Sequence, residues 1–332
     1  MTNSTPLDQT GNSDLLLEVS GLRKHFPIRT GFFQRLTGAV RAVDDVSLAV
    51  ASGKTLGLVG ESGCGKTTAG RSILRLIEPD AGKILFRGTD VMKLSGEDLR
   101  VIRRKMQIVF QDPYSSLNPR ITVGGMLAEI LRFHNLASGK RVKERVDELL
   151  DIVGLSRQYA SRYPHEFSGG QRQRIGIVRA LAVEPEFIVL DEPVSALDVS
   201  IQAQILNLLK DLQAKFNLSY LFISHALSVV EHIADEIAVM YLGRIVEYGK
   251  TDQIISNPLH PYTKALLAAV PRPDPDRAVI GEPLAGDVPS PAAPPTGCHF
   301  HPRCPVARPE CSEWKYQLQP QSDGRKVACL LY

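Results

Sequence analysis

The sequence has no long run of apolar residues. None of its hydrophobic stretches approaches the roughly 18 residues that a helix needs to cross a bilayer, so no segment is predicted to span a membrane. Residues 1–14 are polar and lack the basic and apolar regions of a secretory signal. We therefore expect a disordered lead-in here, an intracellular protein, and membrane association that is only peripheral.

A strong charge of one sign is also missing. The chain has 39 Lys and Arg residues against 36 Asp and Glu residues, and the net charge of +3 gives no argument for nucleic acid as a partner. Apolar residues at 43% and charged residues at 23% are ordinary values for a globular protein. The length of 332 residues predicts one large domain with an appendage.

Cysteine is scarce and unevenly placed. One residue, Cys64, stands alone, and the other four lie in the last 35 residues: Cys298, Cys304, Cys311 and Cys329. In a reducing compartment such a group suggests metal or iron–sulfur ligation before disulfides. The closely spaced cysteine pair that is usual in zinc sites is absent. An iron–sulfur cluster, zinc, and small apolar thiols without a ligand all remain open.

A glycine-rich loop follows the apolar run 55–59 and leads into an apolar helical pattern. Its residues are Gly60, Glu61, Ser62, Gly63, Cys64, Gly65, Lys66, Thr67 and Thr68. Glycines let the backbone N–H groups point inward around a phosphate, and the helix that begins at Lys66 adds its positive dipole end. Lys66 can reach the β- and γ-phosphates and Thr67 can ligate Mg²⁺. The loop predicts nucleoside triphosphate binding, with Cys64 filling a small position rather than acting as a redox switch.

A second anion-binding helix start is predicted at Ser168, Gly169, Gly170 and Gln171. Ser168 is a suitable N-cap, and the two glycines expose backbone N–H groups. The helix is expected to continue through Leu181.

Polar residues follow three apolar strands. The run 187–190 leads to Asp191 and Glu192, the run 220–224 leads to His225, and the run 106–110 leads to Gln111. Continuous apolar runs are typical of central parallel strands, and ligands bind at the carboxyl ends of such strands. Strands therefore alternate with helices in an α/β fold.

Three stretches depart from this alternation. The helical pattern from about residue 123 to 155 predicts an inserted subdomain. Residues 29–40 are interpreted as a loop excursion between two early strands. Eight prolines in residues 271–297, after a short helix over 262–270, predict an extended linker.

Taken in order, these motifs resemble those of the ATP-binding cassette (ABC) ATPases. The ordered set is the phosphate loop, Gln111, Ser168-Gly169-Gly170-Gln171, Leu190-Asp191-Glu192, Ser195-Ala196-Leu197-Asp198 and His225, within residues 15–250. The resemblance implies a P-loop ABC ATPase fold with a mixed β-sheet core, an N-terminal β-subdomain and a helical subdomain at about residues 113–180. A helix and linker at 251–297 and a cysteine-containing region at 298–332 would follow.

The resemblance also implies a role for each residue. By similarity, Asp191 organises Mg²⁺, Glu192 is the general base, and Gln111 reaches Mg²⁺ and the attacking water. His225 is expected to contact the γ-phosphate, and Phe26 to stack on adenine, although a core position for Phe26 is the alternative. Asp198 and the Ser168–Gln171 signature complete the nucleotide-binding set.

Two residues differ from the family pattern: Phe167 stands where Leu is common, and Ala226 where Asp is usual. Phenylalanine and leucine are both apolar, so the first change puts little in doubt. The histidine before Ala226 is retained. We therefore expect turnover to survive, with altered hydrogen bonding near His225.

Three further stretches resemble the oligopeptide/dipeptide/nickel importers, and of these the F-type ATPases: residues 111–120, 257–267 and 297–305. The resemblance implies ATP hydrolysis that energises import of dipeptides or oligopeptides at the cytoplasmic face of the inner membrane. It implies a second, D-type ATPase, two permeases, an extracytoplasmic binding protein and no nucleic acid. These importers are similar in carrying a cysteine-rich end, and the resemblance therefore implies a [4Fe–4S] cluster on the tail cysteines.

Two other classes of function are alternatives. Soluble ABC proteins of DNA repair or translation carry long coiled-coil insertions, internal zinc modules or fused cassettes, and the sequence shows none of these. A regulatory module that binds ATP without hydrolysing it is disfavoured by the presence of Glu192 and His225.

Overall fold

A computed structural model describes residues 14–31, 34–112, 116–269 and 286–332. The chain forms two compact units, one from residues up to Lys93 and from Phe222 onward, the other from Leu94–Leu221. The predicted disordered lead-in lies, apart from Asp14, outside the described residues. Among the described residues, no helix combines the length and the apolar character needed to cross a membrane.

The first unit begins with an antiparallel sheet. Its strands are β1 (Leu15–Thr30), β2 (Arg35–Ala51), β4 (Ala81–Phe86) and β5 (Thr89–Asp90), in the order β2-β1-β4-β5. Buried Val46, Leu48 and Val50 alternate with less buried residues along β2, as the period of two in a strand requires.

The prediction of a loop over residues 29–40 was wrong for residues 29–30 and 35–40, which are strands, while residues 32–33 lie outside the described part of the chain. β1 and β2 continue as paired strands to their tips, where Arg29 lies opposite Leu36 and Thr30 opposite Arg35. Most of these tip residues are exposed, so they show no apolar pattern, and backbone hydrogen bonds between the strands extend the hairpin without one.

The first unit also contains a mixed set of strands. β3 (Thr55–Val59) pairs in parallel with β9 (Glu236–Tyr241), and β9 pairs in antiparallel fashion with β10 (Arg244–Lys250). β10 pairs with β12 (Lys326–Val327), which pairs with β11 (Gln319–Pro320). Every residue of β3 is buried, which explains its continuous apolar sequence.

The helices of this unit are α1 (Lys66–Ile73), α7 (Leu227–Ile233), α8 (Thr251–Ser256) and α9 (Pro261–Ala268). Short 3₁₀ turns occupy Val91–Lys93, His301–Arg303 and Pro309–Ser312. Because β3 ends at Val59 and α1 begins at Lys66, the glycine-rich loop joins a buried strand to a helix, as the sequence predicted.

The second unit is mainly helical and contains the neighbouring strands β6 and β7. Its elements are α2 (Gly96–Lys105), β6 (Met106–Val109), α3 (Val123–Phe133), α4 (Arg141–Ile152), α5 (Gly169–Leu181), β7 (Phe187–Asp191) and α6 (Val199–Phe216), with 3₁₀ turns at Arg157–Ser161 and Pro164–Glu166. β6 and β7 run parallel. α4 buries Val142, Val146, Leu149 and Leu150, the face that the helical period predicted. Strand β8 (Ser219–Ser224) leads from this unit back into the first.

The C-terminal tail belongs to the first unit. The amide of Arg41 donates to the carbonyl of Pro291 at 3.0 Å, His299 Nδ1 lies 3.2 Å from the carbonyl oxygen of Leu242, and the Tyr316 hydroxyl donates to the carbonyl of Ile245 at 2.9 Å. Residues 286–297 contain neither helix nor strand, as predicted for a linker, and residues 270–285 lie outside the described part of the chain.

Candidate functional site

The phosphate loop is closed around the Lys66 side chain. Lys66 Nζ donates to the carbonyl oxygens of Gly60 at 2.7 Å and Glu61 at 2.9 Å, and the residue is only 4% exposed. The ammonium group is thereby fixed inside the loop at the start of α1, where the helix dipole also favours an anion.

Two glycines make this loop shape possible. A Cβ on Gly60 would lie 2.1 Å from the carbonyl oxygen of Met240, and one on Gly65 would lie 1.9 Å from that of Ala42. Gly65 also has φ +110°, which side chains rarely tolerate. These residues fit a bound triphosphate: Lys66 and backbone N–H groups would hold the phosphates, and the Thr67 hydroxyl would hold Mg²⁺.

Cys64 is packed inside the same loop. Its Sγ lies 3.8 Å from Lys66 Nζ, and burial raises the pKa of the thiol. The thiol therefore stays neutral, which supports the interpretation of Cys64 as a small filling residue.

His225 and Phe26 lie in the same unit as the loop. His225 directly follows β8 and is exposed. Ala226 has no side-chain oxygen, and its amide donates to Ser224 Oγ at 3.0 Å, so Ser224 supplies the local hydrogen bond. Phe26 is 38% exposed and Lys24 Nζ lies 5.5 Å from its ring centroid, which favours the ligand-stacking interpretation over a core position.

In the second unit, the structure brings Gln111 and Glu192 together. Gln111 Nε2 donates to Glu192 Oε2 at 2.9 Å. Asp191 ends β7 and is 1% exposed, whereas Glu192 follows the strand with φ +47°. A non-glycine residue in this conformation costs on the order of 1–3 kcal/mol, and such strain is concentrated at functional sites.

The signature residues begin α5 as predicted. Ser168 Oγ accepts from the amide of Gln171 at 3.4 Å, and Gln171 Oε1 accepts from the amide of Ser168 at 3.1 Å. This capping box fixes the helix start while Ser168 and Gly169 remain exposed. Asp198 caps α6 by accepting from the amide of Ile201 at 2.9 Å.

The four tail cysteines are free thiols within electrostatic range of one another. Burial raises the pKa of Cys298 to about 11, and the neighbouring thiols Cys329, Cys311 and Cys304 add to the rise. Four thiols are chemically suited to zinc or an iron–sulfur cluster. Within the described ranges, however, no three His, Cys, Asp or Glu side chains are placed to hold one metal. Four thiols are therefore the right kind of ligand for a cluster, but the structure does not place them where they could hold one.

Sequence reasoning missed two residues that contact the phosphate loop. The Tyr262 hydroxyl accepts from the amide of Glu61 at 2.9 Å, and Arg303 donates to both carboxylate oxygens of Glu61, at 2.9 and 3.2 Å. Both residues lie in tail motifs that the family resemblance had singled out. No local pattern could reveal the contact, since Glu61 and Arg303 are 242 positions apart.

Two family comparisons cover most of the chain. The family described as "ABC transporter" matches residues 43–195, and "Oligopeptide/dipeptide transporter, C-terminal region" matches residues 246–311. The oligopeptide transport ATP-binding protein AppF of Bacillus subtilis is 54% identical over 324 residues, which are 97% of this chain and 98% of that protein. The chain belongs to the ABC transporter ATPases. It is an ATP-binding and ATP-hydrolysing subunit of the oligopeptide/dipeptide branch, as the motifs predicted.

Other relatives agree with this assignment. A probable peptide ABC transporter ATP-binding protein, y4tS of Sinorhizobium fredii, is 55% identical over 317 residues, which are 96% of this chain and 90% of that protein. The dimeric post-hydrolysis structure of the ATP-binding cassette MJ0796 bound to ADP and Pi has a TM-score of 0.63 and 28% identity, covering 71% of this chain and 98% of that one. The predicted mixed α/β cassette fold of this ABC ATPase is therefore confirmed.

Proposed function

We propose that this ABC ATPase energises the import of dipeptides or oligopeptides. The observation that carries the proposal is the 54% identity to an oligopeptide transport ATP-binding protein over 97% of the chain. The tail match at residues 246–311 supports the same branch, because it describes a region of oligopeptide/dipeptide transporters.

We propose the following division of labour among the site residues. The loop from Gly60 to Thr68 binds the phosphates, with Thr67, Gln111 and Asp191 serving Mg²⁺. Glu192 holds the attacking water as a general base, and the bond from Gln111 keeps its carboxylate oriented. His225 contacts the γ-phosphate, and Phe26 stacks on adenine.

The chain is proposed to act in a pair. The exposed, capped start of α5 carries the signature residues Ser168–Gln171, and we propose that it completes the ATP site of a second, D-type cassette, together with Asp198. The dimeric solved cassette that resembles this chain supports a paired assembly. Two permeases and an extracytoplasmic peptide-binding protein would complete the transporter, with this subunit on the cytoplasmic face of the inner membrane.

The proposed domain division follows the same family pattern. The cassette is assigned to residues 15–250, with the helical subdomain at about 113–180. Residues 251–297 then form the helix and linker, and residues 298–332 the cysteine-containing region.

The test is reconstitution of the transporter. Co-expression with the neighbouring permease, ATPase and binding-protein genes should yield a complex that contains this chain and takes peptides into vesicles at the expense of ATP. The Lys66→Ala chain should assemble equally well and import nothing. Import of another solute class, with no response to peptides, would refute the proposed substrate but not the ATPase.

For the tail thiols, we propose an iron–sulfur cluster, with zinc or no ligand as the competing outcomes. The four free thiols of the tail support the choice of ligand type, whereas their arrangement in the described residues does not bring three of them to one metal. An anaerobic preparation should contain iron and sulfide and show visible absorbance, and Cys311→Ser should remove both. A colourless, iron-free preparation would contradict the cluster, and stoichiometric zinc would replace it.

A further inference from the structure

A partly buried ion pair joins the tail to the phosphate loop. Arg303 forms a bidentate pair with the Glu61 carboxylate, and the Arg303 side chain is 6% exposed. The guanidinium also donates to the Tyr241 hydroxyl at 3.4 Å. A planar, desolvated guanidinium fixes the direction of its carboxylate far better than a surface pair does. The Glu61 side chain is thus held from outside the loop.

A second bond holds the backbone of the same residue. The amide of Glu61 donates to the Tyr262 hydroxyl at 2.9 Å, and Tyr262 is fully buried. The carbonyl of Glu61 accepts from Lys66. The peptide groups on both sides of Glu61 are therefore oriented, one by the tail and one by the phosphate-binding lysine.

The two tail residues are themselves anchored. Tyr262, Tyr241 and Phe300 form a buried aromatic cluster with ring centroids 4.6–5.4 Å apart. Gly297 supports the turn before Phe300, because a Cβ there would lie 2.2 Å from the carbonyl oxygen of Cys311. Arg303 and Tyr262 are held by a packed core, so their contacts on the loop are rigid ones.

We propose that Arg303 and Tyr262 are positioning residues for ATP binding, which act through Glu61 to keep the phosphate loop in its binding shape. The inference rests on the assignment of this loop as the ATP site. Without these contacts the loop gains conformational freedom, and ATP must order it again on binding. The loss falls on nucleotide affinity, so KM for ATP should rise while kcat at saturating ATP is retained.

The experiment measures equilibrium binding of Mg-ATP to the full chain and the ATPase kinetics of the assembled complex. Tyr262→Phe removes one hydroxyl and should weaken binding roughly 2- to 10-fold. Arg303→Met should weaken it roughly 10-fold, because the partly buried Glu61 carboxylate loses its bidentate partner. Glu61→Gln with Arg303→Met should be no weaker than Arg303→Met alone, since the two residues act as one pair.

Two tail residues serve as matched controls. Tyr316→Phe removes a partly buried hydroxyl that bonds to Ile245, and Arg325→Met removes a side chain that is also 6% exposed and pairs with Asp323. Both controls should keep the ATP affinity within about 2-fold. Their melting temperatures should fall, as those of the positioning variants should. Equal affinities in all variants, or equal losses in the controls, would refute the positioning role. A wild-type chain that binds no ATP would refute the loop assignment as well.

Discussion

At the residue scale, the carboxylate of Glu192 is the group on which we propose that hydrolysis depends. It lies at the end of a buried strand in a strained backbone conformation and accepts a hydrogen bond from Gln111. An amide in its place keeps the size and the hydrogen-bonding capacity of the side chain but cannot act as a base. The two functions of the site, binding and turnover, can therefore be separated at this residue.

Glu192→Gln should bind Mg-ATP as tightly as wild type and hydrolyse it about 10²–10⁴ times more slowly. Phosphate release by the assembled complex and nucleotide binding by the full chain measure the two quantities. Turnover within roughly 10-fold of wild type would remove Glu192 from the role of general base.

Candidate residues of this kind can be selected from the sequence because their signal is local. Glu192 and Gln111 each follow an apolar strand, and the sequence shows the strand and the polar residue together. Tyr262 and Arg303 could not be selected in this way, because their proposed role comes from a long-range contact with Glu61. A tyrosine before an apolar helix and an arginine among prolines carry no sign of what they touch.

At the element scale, the start of α5 depends on close packing as well as on its cap. A Cβ on Gly170 would lie 2.5 Å from Cγ2 of Ile201, at the beginning of α6. A Cβ on Gly176, in the same helix, would lie 3.9 Å from its nearest neighbour on Val109. The same substitution therefore has opposite consequences at two positions of one helix.

Gly170→Ala should destabilise the chain by about 1–3 kcal/mol and lower the ATPase activity, because α5 and α6 must move apart. Gly176→Ala should leave activity intact and stabilise the chain by about 0.4–1 kcal/mol, because alanine reduces the freedom of the unfolded state. Urea unfolding and ATPase assays of both variants test this pair. If Gly170→Ala proves as stable and active as Gly176→Ala, the packing argument fails.

The elements themselves were predicted with uneven success. α4 showed its buried face in the spacing of Val142, Val146 and Leu149, and α5 showed its start in Ser168. The tip of the β1–β2 hairpin was missed, because its mostly exposed residues pair across the strands without an apolar pattern. Hydrophobic periodicity arises from burial of one face, so an element without a buried face shows no such pattern in its sequence.

At the scale of the whole molecule, stability should depend on pH through buried His260. The residue is 1% exposed, its Nδ1 accepts from the amide of Tyr262 at 3.1 Å, and burial lowers its pKa to about 3. The unfolded chain takes up this proton near pH 6.5, and the folded chain only near pH 3. This contribution is therefore complete above the unfolded pKa and is lost as the pH falls toward the folded one.

Acidification from about pH 7.5 to about pH 5.5 should cost about 1.4 kcal/mol of unfolding free energy through His260. His260→Asn keeps an acceptor at the helix start and should lack this part of the pH dependence. Denaturant unfolding of both chains at the two pH values gives the difference directly. Parallel losses in both chains would show that His260 is already protonated, or equally accessible, in the folded state.

The sequence predicted a cassette followed by a tail, and it did not predict that the chain's two ends build one unit. Parallel pairing of β3 with β9 joins segments far apart in the sequence, and β12 of the tail then extends from β10. Such pairings are decided by the folded chain as a whole. Composition could separate the tail from the cassette, but it could not show that the tail would pair with β10.

The Glu61–Arg303 pair has a consequence for inheritance. Its two members fall in stretches that match two separate families, one covering residues 43–195 and the other 246–311. An exchange of tails between paralogous genes would leave Glu61 without its partner wherever the new tail lacks the arginine at position 303, and the recombinant would lose nucleotide affinity. Substitutions at Glu61 and Arg303 should therefore occur together during evolution. A hybrid gene in which one of the two has changed should regain function through a compensating change at the other.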